Sequence, residues 1–225
     1  MYKETTFENM EISEANQGYL RFMKDISEVS AACSTKTYIW GGFTTDIFEG
    51  KILREHGDLD GFIENMMSIL DQLIAEYKIR GYHTEFRNDI NMLSIGKENV
   101  CAAFNPLDID GTVAMWRHIG DQGTVYFPYA WLDDVPRSFY GVEVYTSGLR
   151  FEYGFRSIVN NLNPEWCNER EKDKIAKEYL AAKIVEEGIG IKTILKNIWS
   201  YNPFWAKKGY DPFDKPTLVY PIISD

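Results

Sequence analysis

Between residues 14 and 34, apolar side chains recur at Leu20, Phe22, Met23, Ile26 and Val29, the spacing of one buried helix face. Thr37–Trp40 follows as a compact apolar run and is predicted to be a strand. Gly41-Gly42 breaks it, a short helix comes next, and a second strand runs through Asp58-Leu59-Asp60. Asn65 is the expected cap of a helix reaching about Arg80, with Met66, Ile69, Leu70, Leu73, Ile74 and Tyr77 on one stripe and Gly81 as its stop. Strand-like runs then occupy residues 83–87, 92–96 and 100–108, separated by Asn-Asp and Lys-Glu-Asn turns. Further strands are predicted at 124–128 and 141–144. From Thr146 the period becomes helical, over 147–160, 169–187 and 191–201. The tail after Asn202, rich in Pro203, Phe204, Trp205, Tyr210, Pro212 and Phe213, reads as an extended segment packed on the surface. The pattern is α+β: a core of small mixed β-sheet and flanking helices over residues 1–145, then a helical C-terminal part over 146–225.

Composition narrows the function. An apolar fraction of 44% with 15% aromatic in 225 residues supplies an ample core and argues against disorder. A formal charge of −10 disfavours a nucleic-acid partner, because phosphate backbones are bound by clustered Lys and Arg. It suits a cationic small molecule better. Cys33, Cys101 and Cys167 are odd in number and far apart, matching neither a disulfide framework nor a zinc spacing, so a reducing cytoplasm is the expected setting. No apolar leader and no membrane-spanning run is apparent, so neither secretion nor a membrane partner is expected. Oligomeric state is not legible.

The chemistry concentrates in two stretches, Tyr38-Ile39-Trp40-Gly41-Gly42-Phe43-Thr44-Thr45-Asp46 and Arg54-Glu55-His56-Gly57-Asp58-Leu59-Asp60. Alternation on a strand points Asp58 and Asp60 the same way while Leu59 enters the core. Paired carboxylates repel each other but suit Mg²⁺, which takes one or two of them together with substrate phosphates. At Gly41 and Gly42 the missing Cβ lets the backbone approach a ligand, and the following helix N-terminus favours an anion. A phosphate cradle beside a metal site is the layout of a nucleotide-handling enzyme.

Gly-Gly, a following Asp, and Arg-Glu-His-x-Asp-Leu-Asp together resemble the nucleotidyltransferases that adenylylate antibiotics, the aminoglycoside-2''-type and lincosamide enzymes of the polymerase-beta-like superfamily. The resemblance is strong over residues 36–65 and loose to about residue 185. It implies Mg²⁺-dependent transfer of a nucleoside monophosphate from a nucleoside triphosphate, ATP for preference, onto a small-molecule hydroxyl. An aminoglycoside or lincosamide antibiotic is the acceptor class it suggests. Asp58 and Asp60 would bridge the metals, and Gly41 and Gly42 would cradle the phosphates.

A two-metal site needs one more carboxylate from a neighbouring strand. The related enzymes place it after a hydrophobic residue at a strand end, which Leu107-Asp108 matches. Asp108 is therefore the expected third ligand and proton acceptor, with Asp110, of the same facing, as its competitor. Asp46 sits where the resembling family is acidic near the metal, although helix packing or capping explains it equally. Arg54 and Lys51 could reach triphosphate oxygens or simply face solvent. His56 would share the Asp58 face, contacting nucleotide or orienting a carboxylate, or else be structural. His83 and His118 have no such context, and Trp116 and Trp131 fit either a stacking role or the core. Asp133, Asp134, Glu143 and Glu152 could supply charge for a cationic acceptor. Gly61 and Phe43-Thr44-Thr45 depart from the resembling pattern, and Gly61 is expected to bulge the second strand or end it early. Two alternatives stand beside this reading: a toxin-type nucleotidyltransferase acting on tRNA or protein, and a catalytically silent nucleotide-binding protein of the same fold. Asp108 pointing away from Asp58 and Asp60 would favour the latter.

Overall fold

The computed structural model describes residues 12–117, 123–162 and 171–201. Helix α1 (Glu14–Ala32) starts at Ser13, whose hydroxyl accepts the Asn16 N–H at 3.3 Å, and buries Tyr19, Leu20, Phe22, Met23, Ile26 and Val29. Strand β1 (Thr37–Trp40) leads through Gly41 into α2 (Gly42–Glu49), and β2 spans Leu59–Glu64. After α3 (Leu70–Ile79) come β3 (His83–Arg87), β4 (Met92–Lys97), β5 (Val100–Asp110), β6 (Val113–Arg117) and β7 (Thr124–Pro128). Strands β8 (Arg137–Phe139) and β9 (Val142–Thr146) precede α4 (Gly148–Leu162), α5 (Glu171–Glu186), α6 (Ile191–Lys196) and β10 (Trp199–Tyr201).

Among the described residues ten strands form one mixed sheet in the order β10-β7-β6-β5-β2-β1-β9-β8, and the β3–β4 hairpin joins β5 through β4. Long β5 changes partner along one edge: Val100–Phe104 pair with β4 and Leu107–Asp110 with β6. Its other edge runs parallel to β2, with Leu59 opposite Ala102 and Glu64 opposite Leu107. Alternation divides the sheet into two faces. Ile39, Leu59, Ile63, Ala102 and Phe104 pack with α1, α2 and α3. Tyr38, Phe62, Leu107 and Trp116 pack with Phe151, Phe155, Leu180 and Ile194 of the C-terminal helices. Each fully buried side chain of this size contributes roughly 1.5–3 kcal/mol, so both faces carry a substantial core.

Several local expectations change. Asn65 is left-handed, with φ 52°, and caps nothing through its side chain; a short 3₁₀ turn at Met66–Ser68 intervenes before α3. Gly61 neither bulges nor ends β2, which continues to Glu64. The absent side chain instead makes room for Phe104, since a Cβ there would sit 2.5 Å from its ring. The predicted helix over 191–201 stops at Lys196, and Trp199–Tyr201 pairs antiparallel with β7. Strands β6 and β8 were not anticipated. The reading of the tail after Asn202, and those of His118 and Cys167, lie outside the described residues.

Candidate functional site

The site forms where β1 ends and β2 begins. Trp40 and Asp60 are antiparallel register partners, so their side chains share one face of the sheet. Trp40 stacks on Phe62 with ring centroids 5.4 Å apart and meets Trp116 at 4.9 Å and Phe155 at 5.6 Å. Asp60 thus stands at the open end of an aromatic cluster. Leu59 is fully buried on the opposite face, while Asp60 is half-buried and Asp58, just before the strand, is exposed. Leu59 thus points inward, as expected. Asp58 lies near the start of β5: burial is the main reason the Tyr19 phenol is pushed up, and the Asp58 charge adds to the effect, while Tyr19 Oη bonds the Cys101 backbone.

Gly41 has φ 82° and ψ −137°, a conformation that favours glycine, and a Cβ there would lie 3.2 Å from Asp60 Oδ2. Its N–H donates to Glu152 Oε1 at 2.7 Å, an oxygen that also accepts from Ser147 Oγ at 2.7 Å and Thr44 Oγ1 at 3.3 Å. Arg156 Nη2 reaches the other Glu152 oxygen at 3.4 Å. A buried carboxylate under the loop therefore takes the Gly41 donor, leaving the first-turn N–H groups of α2 as the ones able to meet an anion. Glu152 is 1% exposed, which removes it from the expected cation-binding set. Nothing local announced this role, because the partner lies 111 positions away.

Gly42 brings Arg54 close to α2, for a Cβ there would collide with Arg54 Nη2 and sit 3.2 Å from His56 Nδ1. Exposed Arg54 thus hangs over the N-terminus of α2, whereas Lys51 is exposed beyond the far end of that helix. Asp46 and His56 are both buried, and His56 Nε2 lies 2.8 Å from Asp46 Oδ2. The imidazole stacks on Phe43 at 3.7 Å; its backbone N–H donates to Asn16 Oδ1 at 3.1 Å, and Leu53 N–H donates to Asp46 at 3.0 Å. Of the open readings for these two residues, this geometry supports the structural one. They clamp the segment leading to Asp58, and buried His56 does not share that residue's exposure.

Asp108 does not join Asp60, contrary to expectation. Ala103, not Asp108, is the β5 partner of Asp60. Five residues further along an extended strand is roughly 16 Å. Parity also opposes it: Leu107 packs on the Phe62 face, so Asp108 and Asp110 belong to the other. Asp108 Oδ2 instead pairs with Arg117 Nε at 3.2 Å, and Asp110 is exposed at the strand end. Asp133 is also engaged, accepting from Arg137 Nε and Nη2 at 2.9 Å each and from Thr146 Oγ1 at 2.6 Å. Glu143 lines a cavity of about 410 Å³ with Lys36 and Tyr145, at the opposite end of β1 from Gly41. Trp116 and Trp131 are core residues, while Asp134 is exposed.

Asp58 and Asp60 are hard oxygen donors two residues apart at the start of β2, the type a divalent cation takes, and Asp60 lies beside the Cβ-free turn at Gly41. Among the described residues no group of three or more His, Cys, Asp or Glu side chains could hold a metal ion.

This α+β architecture, a mixed sheet flanked by helices, is a fold shared with solved structures of antibiotic-resistance proteins. The solution structure of the antibiotic-resistance factor ANT(2'')-Ia matches with a TM-score of 0.61 at 12% identity, over 85% of this chain and 94% of that one. ANT(2'')-Ia in complex with adenylyl-2''-tobramycin matches at 0.60 and 12% identity, over 80% and 95%. The lincomycin-bound lincosamide antibiotic adenylyltransferase LnuA matches at 0.54 and 15% identity, over 76% and 97%. At these identities the likeness is one of fold. No protein-family model matches the chain, and no curated protein sequence does.

Proposed function

We propose that the protein is a nucleotidyltransferase that moves a nucleoside monophosphate from a nucleoside triphosphate, ATP for preference, onto a hydroxyl of a small molecule. The observation that carries this reading is the placement of Asp60 against Gly41, with Gly42 opening α2 and Arg54 above it. Cation-binding and phosphate-binding groups then meet at one point on a fold that antibiotic adenylyltransferases share. Asp58 and Asp60 would hold Mg²⁺, which would neutralise charge on the triphosphate. The first turn of α2 and Arg54 take the phosphate oxygens, and Asp46 with His56 keeps the Asp58 segment in place. In the reaction the acceptor oxygen bonds to the α-phosphorus, the bond to the bridging oxygen breaks, and pyrophosphate leaves as the hydroxyl proton passes to solvent. The neighbours' acceptors, an aminoglycoside and a lincosamide, set the first compounds to try.

The second reading, a silent nucleotide-binding protein, gains from the position of Asp108, since the expected proton acceptor is not at the site. Calorimetry with each of the four nucleoside triphosphates and Mg²⁺ tests what both readings share. Binding of at least one, weakened in Asp60→Asn, is expected. A folded wild-type protein that binds none contradicts both.

A further inference from the structure

We propose that this chain offers a divalent cation two carboxylates rather than three, so that a single ion enters with the nucleotide and Ala103 occupies the place a third carboxylate would need. The inference rests on the nucleotidyl-transfer reading and deepens it. A residue that completes the Asp58–Asp60 pair must lie on the same sheet face and at the same end of the strands. On β5 that means Cys101, Ala103 or Asn105, since parity sends Ala102, Phe104, Asp108 and Asp110 to the other face. Ala103 is the direct partner of Asp60 and carries no donor atom. Asn105 is neutral, 6% exposed and turned to Asn91, whose carbonyl accepts its amide at 3.3 Å. Ser94, the β4 partner of Ala103, is neutral as well. Glu152, the acidic residue on the other side of Gly41, is already engaged by three donors on one oxygen.

Two carboxylates and a triphosphate make a complete set for one Mg²⁺, an ion that keeps several waters and seldom uses an all-protein cage. Among the described residues no group of three or more His, Cys, Asp or Glu side chains could hold a metal ion, so nothing beyond the pair is gathered for a second one. The site should therefore have little affinity for free cation, and the nucleotide should carry its metal in.

Counting bound Mn²⁺ by electron paramagnetic resonance tests this without any turnover. Wild type, Ala103→Asp and Asp60→Asn are each titrated with Mn²⁺, with and without a saturating non-hydrolysable nucleoside triphosphate analogue. With the analogue, wild type should bind one Mn²⁺ per chain and Ala103→Asp two. Without it, Ala103→Asp should bind Mn²⁺ on the order of tenfold more tightly than wild type, because the added charge converges on the same ion. Two ions on wild type with the analogue would overturn the inference while leaving the nucleotide reading intact. A folded Ala103→Asp that gains no Mn²⁺ would overturn the assignment of Ala103. Failure of wild type to bind the analogue with Mn²⁺ would remove the underlying reading itself. The wild-type count decides the main point even if the variant does not fold.

Discussion

Glu152 accepts the Gly41 N–H at 2.7 Å, joining the loop at the end of β1 to a helix 111 residues further along the chain. The glycine-containing turn between β1 and α2 is thereby fixed from below. One of its donors is satisfied internally, and Arg156 Nη2 lies 3.4 Å from the other Glu152 oxygen.

Burial pushes the Glu152 carboxyl above its ordinary range of about 4.5, outweighing Arg156 and the hydrogen bonds from Gly41, Ser147 and Thr44. A carboxyl raised in the folded state favours folding below the unfolded value, and that benefit is lost as pH rises through the folded value. Glu152→Gln should therefore gain stability relative to wild type as pH is raised from about 4.5 towards neutrality. Thermal unfolding at several pH values checks this, and a difference that falls with pH contradicts it. Glu152→Ala should instead cost roughly 1–3 kcal/mol, because it strands buried donors.

Asp46 is the second buried carboxylate near the loop, and its partners are His56 and the Leu53 N–H. Removing it leaves both without an acceptor. Asp46→Ala should lose roughly 1–3 kcal/mol in urea unfolding. Nucleotide affinity should fall with it, because the segment carrying Asp58 is released. A variant of wild-type stability would show that the clamp is not what fixes this segment.

Gly42→Ala places a methyl group against the flexible end of Arg54 and 3.2 Å from Nδ1 of buried His56, so it should cost roughly 1–3 kcal/mol while the guanidinium is displaced. Nucleoside triphosphate affinity should then drop. Unchanged affinity in calorimetry would mean that Arg54 makes no phosphate contact. Gly61→Ala meets the ring of Phe104 at 2.5 Å and the Tyr38 carbonyl at 3.2 Å, so it should cost roughly 1–3 kcal/mol as an overpacked core.

Asp108→Asn separates the observed register from the one expected from the sequence. Its carboxylate is half-exposed and bound to Arg117, on the face away from Asp60. Activity should stay within about twofold of wild type, as for a surface substitution with little effect on folding. A loss of about 100-fold or more would place Asp108 at the reacting atoms as a positioned base.

The local part of this site was legible because it obeys alternation and turn chemistry. Leu59 entering the core between Asp58 and Asp60, and the Gly41-Gly42 break before a helix, follow from neighbouring residues alone. Asp108 was expected beside Asp60 but lies elsewhere, because its facing depends on how β5 registers against β2, and pairing between distant strands sets that register. Glu152 carries no local signal, since its reason for being acidic is the Gly41 amide. Trp199–Tyr201 continued a helical pattern, yet the free edge of β7 captured it as a strand. Asn65 looked like a helix cap, and its tolerance of the left-handed conformation put it in a turn instead.

Product masses test the central claim most directly. Wild type and Asp60→Asn are incubated with Mg²⁺, the four nucleoside triphosphates and a panel of aminoglycosides, lincosamides and other hydroxyl-bearing small molecules, and pyrophosphate is measured alongside. The account predicts that an acceptor gains the mass of a nucleoside monophosphate with matching pyrophosphate release. Asp60→Asn should reduce that rate by about 100-fold or more, the equivalent of roughly 3 kcal/mol of transition-state stabilisation. Transfer at the wild-type rate by a folded Asp60→Asn protein would contradict it.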